Sequence, residues 1–291
     1  MKLVISAVLV FLTLPAFAKI KVVATLPDVA EVVKAIGGNQ VDVSTLLSGG
    51  TDPHFADARP DYILKVNRAD VVCAIGLELE IGWLPKVLEK SGNAKVQAGG
   101  PGSCELGKAV KPLDVPQGVI NRSLGDVHAH GNPHFALDPL KLAEGGAEVV
   151  RVLSQVDSAN AGLYQKNYDA FKKQMESLHA QMKSKAKKDK VMEYHKEFTY
   201  FFRAYDLESV GSLEEKPGMP PSATRIAEVA QMAKANKVQV LFATPSAPHK
   251  TLERFQELSG VPVVTVPSYI QSSGNGSSIE GLQNLLMKAL P

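Results

Sequence analysis

Residues 158–187 read SANAGLYQKNYDAFKKQMESLHAQMKSKAK. Tyr164, Tyr168, Phe171, Met175, Leu178 and Met182 recur there at spacings of 4, 3, 4, 3 and 4, which draws one apolar stripe along a helix. No proline interrupts the run, and Gly162 is its only glycine. At 1.5 Å per residue such a helix would reach about 45 Å, more than one lobe needs, so it is expected to cross from one lobe to another. The alternative is an ordinary surface helix that stops near Lys183, where the chain turns basic (Lys183, Lys185, Lys187, Lys188, Lys190). That run has no interleaved aromatics to stack on bases and reads as a solvated face.

On either side of this segment, short β-branched runs alternate with helical patterns. Before it come strands at 20–26, 41–47 and 71–75, with helices near 28–36 and 60–67. After it come strands at 191–194, 209–212, 238–243 and 263–266, with helices near 197–205, 222–235 and 250–258. Alternation of this kind argues for parallel sheets flanked by helices. The expected fold is therefore α/β: one lobe at 19–157, a linking helix at 158–187, a second lobe at 188–291, and a cleft between the lobes.

The 291 residues are 45% hydrophobic and 21% charged, the composition of a globular chain with ample material for a core. Lys+Arg 32 against Asp+Glu 30 leaves a formal +2, so no strong field points to nucleic acid as a partner. Met1-Lys2, an apolar run to Pro15 and Ala16-Phe17-Ala18 follow the order of a secretory signal, with cleavage expected after Ala18. The run is too short to span a bilayer, and no cysteine stands at the cleavage point to carry a lipid. The mature chain is therefore expected to be soluble in a periplasm-like space. In an oxidising compartment its two cysteines, Cys73 and Cys104, are expected to form one structural disulfide, with two buried free thiols as the alternative.

Three of the seven histidines stand at junctions between elements. His54 ends the loop Gly49-Gly50-Thr51-Asp52-Pro53-His54, His134 follows Gly131-Asn132-Pro133, and His195 lies just beyond the strand at 191–194. Ligands of open α/β sheets bind outside the carboxyl ends of strands, so a cleft between lobes would let the three converge. Three imidazoles and one further donor make a plausible zinc site. The two Pro-His pairs strengthen this reading, because proline fixes the backbone ahead of a ligand. His128 and His130 form a short His-x-His tract just before the second loop. It reads either as a capture loop that holds metal transiently or as a solvated turn. His179 and His249 read as structural or surface residues.

The ordered set Thr51-Asp52-Pro53-His54-Phe55, Arg59-Pro60, Ala69-Asp70, Gly76-Leu77-Glu78-Leu79-Glu80, Asn132-Pro133-His134-Phe135-Ala136-Leu137-Asp138-Pro139, His195-Lys196-Glu197-Phe198 with Tyr205, and the segment 214–222 (EEKPGMPPS) resembles the metal-binding substrate-binding proteins of ABC transporters, which capture zinc or manganese. The resemblance runs from the mature N-terminus to the end of the chain. It implies two α/β lobes joined by one long helix, with His54, His134 and His195 at the ligand positions. It also implies a soluble, monomeric, non-enzymatic protein whose partner is a membrane permease with its cytoplasmic ATPase. The sequence departs from the family at the fourth position, where members usually offer an Asp after the last strand. Residues 263–271, VVTVPSYIQ, contain no carboxylate. Water, Gln271 or Glu214 are the candidates there, and Asp52 and Asp57 could instead orient an imidazole. Three histidines favour zinc over manganese, while manganese or ferrous iron would suit a site completed by a carboxylate.

Two rival readings share the histidines. A secreted zinc hydrolase would use a similar three-histidine zinc with an open water position, but the chain has no His-Glu-x-x-His helix. A periplasmic zinc buffer or metallochaperone would bind without a permease. No Gly-x-Ser-x-Gly elbow and no phosphate-binding loop ending in Lys-Ser/Thr is present, so ATP use falls to a partner.

Overall fold

The protein is described here from a computed structural model, in which residues 18–117, 128–216 and 218–291 are described. The expected export signal lies outside them except for Ala18, as does Pro217.

The first lobe is a parallel sheet of β1 (Ile20–Ala24), β2 (Val41–Thr45), β3 (Val71–Ala74) and β4 (Ser103–Glu105), in the order β2-β1-β3-β4. The second lobe repeats that order with β5 (Lys190–Glu193), β6 (Glu208–Ser212), β7 (Val240–Ala243) and β8 (Val263–Thr265), arranged β6-β5-β7-β8 and again all parallel. Burial on both faces explains the unbroken apolar strands: every residue of β3 and β7 is buried.

Helices α1 (Pro27–Gly37), α2 (Pro60–Asn67), α3 (Leu84–Ser91) and α4 (Pro139–Val156) flank the first sheet. Proline opens α1, α2 and α4, where its missing N–H and fixed φ cost nothing. Helix α4 has no counterpart in the sequence reading, because Gly145-Gly146 breaks its helical pattern. Those glycines let neighbours close in: a Cβ at 145 would lie 3.1 Å from Leu106, and one at 146 the same distance from Ile36 and Tyr168.

Helix α5 runs from Ala161 to Lys183, shorter than the expected 158–187 because a 3-10 turn occupies Ser158–Asn160 and a turn follows Lys183. Of its stripe, Tyr164, Phe171, Met175, Leu178 and Met182 are buried and Tyr168 partly so. The helix packs on α1 and α4. Toward its C-terminal end it meets the second lobe, where His179 stacks on Tyr205 at 5.4 Å and Lys183 pairs with Asp206 at 3.1 Å. Its buried residues belong to one core that runs from the first sheet to Phe201, Phe202 and Phe242 of the second lobe and to Leu286 near the C-terminus. Helices α6 (Thr199–Ala204), α7 (Ala223–Ala235) and α8 (His249–Ser259) flank the second sheet, and α9 (Ile279–Lys288) packs back on α5. A separate core lies beneath α7 and α8. Among the described residues no helix is long and apolar enough to cross a membrane.

The carboxyl ends of the two sheets oppose each other. The Asp28 carboxylate, just after β1, accepts the Ile270 N–H, just after β8, at 3.0 Å. Gln271 donates to the Gly49 carbonyl at 2.8 Å, and Gln283 of α9 donates to that of Leu137 at 2.9 Å. These bonds tie the lobes together and frame the cleft.

The disulfide expected between Cys73 and Cys104 is not formed; both are buried free thiols. Cys104 lies inside β4 and is the register partner of Cys73 on β3. In-register residues of neighbouring parallel strands project their Cβ bonds side by side, whereas a relaxed bridge needs them to converge at a dihedral near 90°.

Candidate metal centre

Two of the site's loops share one construction. In Asp52-Pro53-His54 the Asp52 carboxylate accepts the His54 N–H at 3.0 Å, and in Asn132-Pro133-His134 the Asn132 side-chain oxygen accepts the His134 N–H at 3.0 Å. Each is an Asx turn stiffened by the proline inside it, so each histidine leaves a fixed backbone. The first loop is pinned to the core by Trp83, whose indole N–H donates to the Pro53 carbonyl at 2.9 Å. The second is pinned across the cleft, where Asn132 donates to the Lys196 carbonyl at 2.9 Å and accepts Tyr200 O–H on its own carbonyl at 2.9 Å. His195 stands two residues past the end of β5, in the bend that follows the strand.

Each ring has a protein partner on Nδ1. Asp52 Oδ1 lies 2.9 Å from His54 Nδ1, Tyr269 Oη lies 2.8 Å from His134 Nδ1, and Glu214 Oε2 lies 2.8 Å from His195 Nδ1. With Nδ1–H donating to these oxygens, the Nε2 lone pairs are left to face the cleft. The three rings offer ligand atoms that all lie within 4.8 Å of one another, and their centroids are 5.1 to 5.7 Å apart. His134 Nε2 is buried and has no hydrogen-bond partner. Native structures rarely tolerate such an orphan, and an ion coordinated there would satisfy it. A cavity of about 300 Å³ opens beside the cluster, lined by His54, His195, Glu197 and Glu214 among others.

The surroundings set the protonation states. Burial, with the neighbouring imidazoles, holds His134 well below the ordinary histidine range, so it stays neutral and ready to ligate. His195 moves the other way: burial lowers its proton affinity, but the Glu214 hydrogen bond and the charges of Glu197, Glu214 and Glu193 outweigh burial. For Asp52, burial works to raise the carboxyl, yet its bonds to His54 bring it below the usual carboxylate range. Burial raises Glu197, which sits behind the cluster near Ser268, with Thr244 Oγ1 at 3.4 Å.

The two side chains named as candidates for the fourth position, Glu214 and Gln271, both make hydrogen bonds within the protein. Glu214 stands behind His195 on Nδ1 and also accepts the Gly218 N–H at 3.1 Å. The Gln271 amide donates to the carbonyls of Gly49 and Tyr269. Asp52 orients His54, whereas Asp57 is exposed. His128 comes in beside His54, while His130 is largely exposed, 3.7 Å from Glu78. His249 is exposed and pairs with Glu253 at 3.4 Å. Tyr269 and Glu197 carry no role in the sequence reading. The pattern 263–271 signals only the missing carboxylate, and nothing local says that a tyrosine hydroxyl reaches an imidazole 135 residues away.

A family model described as zinc-uptake complex component A, periplasmic (ZnuA), matches residues 22–288. The metal ABC transporter substrate-binding lipoprotein SloC of Streptococcus mutans is 26% identical over 263 residues, covering 84% of this chain and 79% of its own. The iron ABC transporter substrate-binding lipoprotein MtsA of Streptococcus pyogenes is 27% identical over 260 residues, covering 84% and 78%. The solved structure of the periplasmic zinc binding protein TroA from Treponema pallidum has the same fold, with a TM-score of 0.73 at 22% identity over 94% of this chain and 98% of that one.

Proposed function

This chain belongs to the ZnuA family of periplasmic zinc-uptake components, and we propose from that premise that it captures one divalent transition metal, zinc before manganese or iron, and delivers it to an ABC permease. The observation that carries the reading is the convergence of His54, His134 and His195, one of them presenting a buried nitrogen with no partner. The incoming ion exchanges its hydration shell for neutral imidazoles whose orientation is already set by Asp52, Tyr269 and Glu214. Nitrogen donors favour zinc over manganese, and the carboxylates lie behind the rings, where they neutralise charge without coordinating. The relatives' names support a metal cargo and a transporter partner, and they differ on the metal: iron for MtsA, zinc for TroA.

The protein acts after export, in the periplasm, and meets the membrane through the permease and its ATPase. Metal enters and leaves by movement of the loops around His54 and His134. Wide opening of the lobes would break the bonds from Asp28, Gln271 and Gln283 and expose the shared core. Competitive titration of the metal-stripped mature chain with Zn²⁺, Mn²⁺ and Fe²⁺, with stoichiometry by elemental analysis, tests the reading. One zinc per chain, bound more tightly than manganese, is expected. Absence of stoichiometric binding of any of the three would overturn it.

A further inference from the structure

We infer that His128 is the fourth ligand, closing an all-imidazole site with His54, His134 and His195. The inference rests on the metal-capture reading above and supplies the donor missing after β8. His128 Nε2 lies 3.2 Å from His54 Nε2, with ring centroids 5.3 Å apart, and its centroid is 6.5 Å from that of His134. In a tetrahedral zinc site with metal–nitrogen bonds near 2.1 Å, adjacent donors stand about 3.4 Å apart. The two nitrogens are therefore already at ligand–ligand spacing. Because His54 Nδ1–H donates to Asp52, its Nε2 is an acceptor, so the contact is His128 Nε2–H donating to His54. When the ion arrives, that proton passes through solvent to His128 Nδ1, which leaves the ring neutral and frees its lone pair.

The turn that presents His128 is built for the purpose. Gly131 N–H donates to the His128 carbonyl at 3.1 Å, and Asn132 N–H donates to that of Leu113 at 2.8 Å. Gly131 has φ 101°, and a Cβ there would lie 2.8 Å from the Leu113 carbonyl oxygen and from Pro112, so a side chain would push the turn off its seat. From the other side, the Glu78 carboxylate accepts the Ala129 N–H. Leu77 and Glu78 both adopt left-handed backbone, with φ 52° and 68°, rare for residues with side chains. Glu80 holds that turn from below: buried, it accepts the N–H groups of Ile75 and Gly76 and the Thr25 hydroxyl. A strained turn is thus held in place with its carboxylate on the backbone next to His128. Four nitrogen donors would favour Zn²⁺, Co²⁺ or Ni²⁺ over Mn²⁺ more strongly than three nitrogens and an oxygen.

The test loads Co²⁺ into the metal-stripped mature chain as a spectroscopic stand-in for zinc and measures zinc affinity by chelator competition, on wild type, His128→Ala, His130→Ala and His54→Ala. The wild type should show the intense visible bands of four-coordinate cobalt. His128→Ala should alter those bands and weaken zinc about 100-fold while the metal-free melting temperature stays within a degree or two. His130→Ala should match wild type in both. If His128→Ala keeps the wild-type spectrum and an affinity within twofold while His54→Ala loses binding, the capture reading stands and the fourth-ligand inference falls. If wild type itself takes up neither metal, both fall.

Discussion

Replacing Tyr269 by Phe removes one oxygen from a fully packed position and nothing else. That oxygen lies 2.8 Å from His134 Nδ1, and both side chains are buried. In the wild type the hydroxyl accepts Nδ1–H and so keeps the lone pair on Nε2, where the ion binds. Without it, the metal-free ring can place its proton on Nε2, toward the cleft, and leave Nδ1 bare. Metal binding must then drive the proton back to a buried nitrogen that has no acceptor. An unsatisfied buried donor costs about 1–3 kcal/mol, and loss of a partner behind a ligating histidine costs about 10- to 100-fold in affinity, or roughly 1.4–2.7 kcal/mol. The two estimates agree. Zinc affinity of Tyr269→Phe should therefore fall about 10- to 100-fold in chelator competition, with metal-free stability within about 1 kcal/mol of wild type. An affinity within twofold of wild type would refute the role given to the hydroxyl.

Acid should release the metal. Because the carboxylates around His195 raise its proton affinity, proton competition should begin above the ordinary imidazole range near 6.5 and approach one decade of affinity per pH unit below it; Glu214→Gln should move that onset to lower pH in titrations between pH 5 and 8. Asp28 is pushed up to about 7 by burial, from 3.8. Between those values the native state keeps a proton that the unfolded chain has lost, so this group's contribution to stability falls as pH rises across the window, by up to roughly 4 kcal/mol. Asp28→Asn should flatten the decline in urea unfolding measured at pH 5 and pH 8, and an unchanged pH dependence would remove Asp28 as its source. Cys73 and Cys104 are buried and unbonded, so two thiols per chain should react with a thiol reagent in denaturant without reductant, and none in the native protein. Failure of the denatured chain to react would reinstate the bridge.

The elements that could be read from the sequence are those whose pattern is local. The β-branched runs of β1, β2, β3 and β7 and the apolar stripe of α5 declare themselves, because burial on both faces of a sheet or one face of a helix leaves a period in the chain. Strand β4 has three residues, Ser103, Cys104 and Glu105, too few for any period, and it exists because β3 offers an edge. Helix α4 hides behind Gly145-Gly146, a choice made by packing against Leu106, Ile36 and Tyr168.

The site divides in the same way. His54, His134 and His195 could be picked out because strand-end loops and Pro-His turns mark them locally. Their partners could not all be found so easily. Asp52 lies two residues from His54 and was within reach of local reasoning, whereas Glu214 and Tyr269 reach their histidines from other segments. Glu214 accordingly reads as one candidate for the fourth ligand, and its carboxylate lies 2.8 Å from His195 Nδ1. The cysteines misled because compartment argues for a bridge, whereas strand register, which the sequence does not show, argues against one.

The most direct measurement is anomalous diffraction at the zinc edge from crystals of the metal-loaded mature chain. The account predicts one strong peak per chain, about 2.0–2.1 Å from Nε2 of His54, His134 and His195. A peak elsewhere, or one bonded to fewer than these three nitrogens, would contradict it.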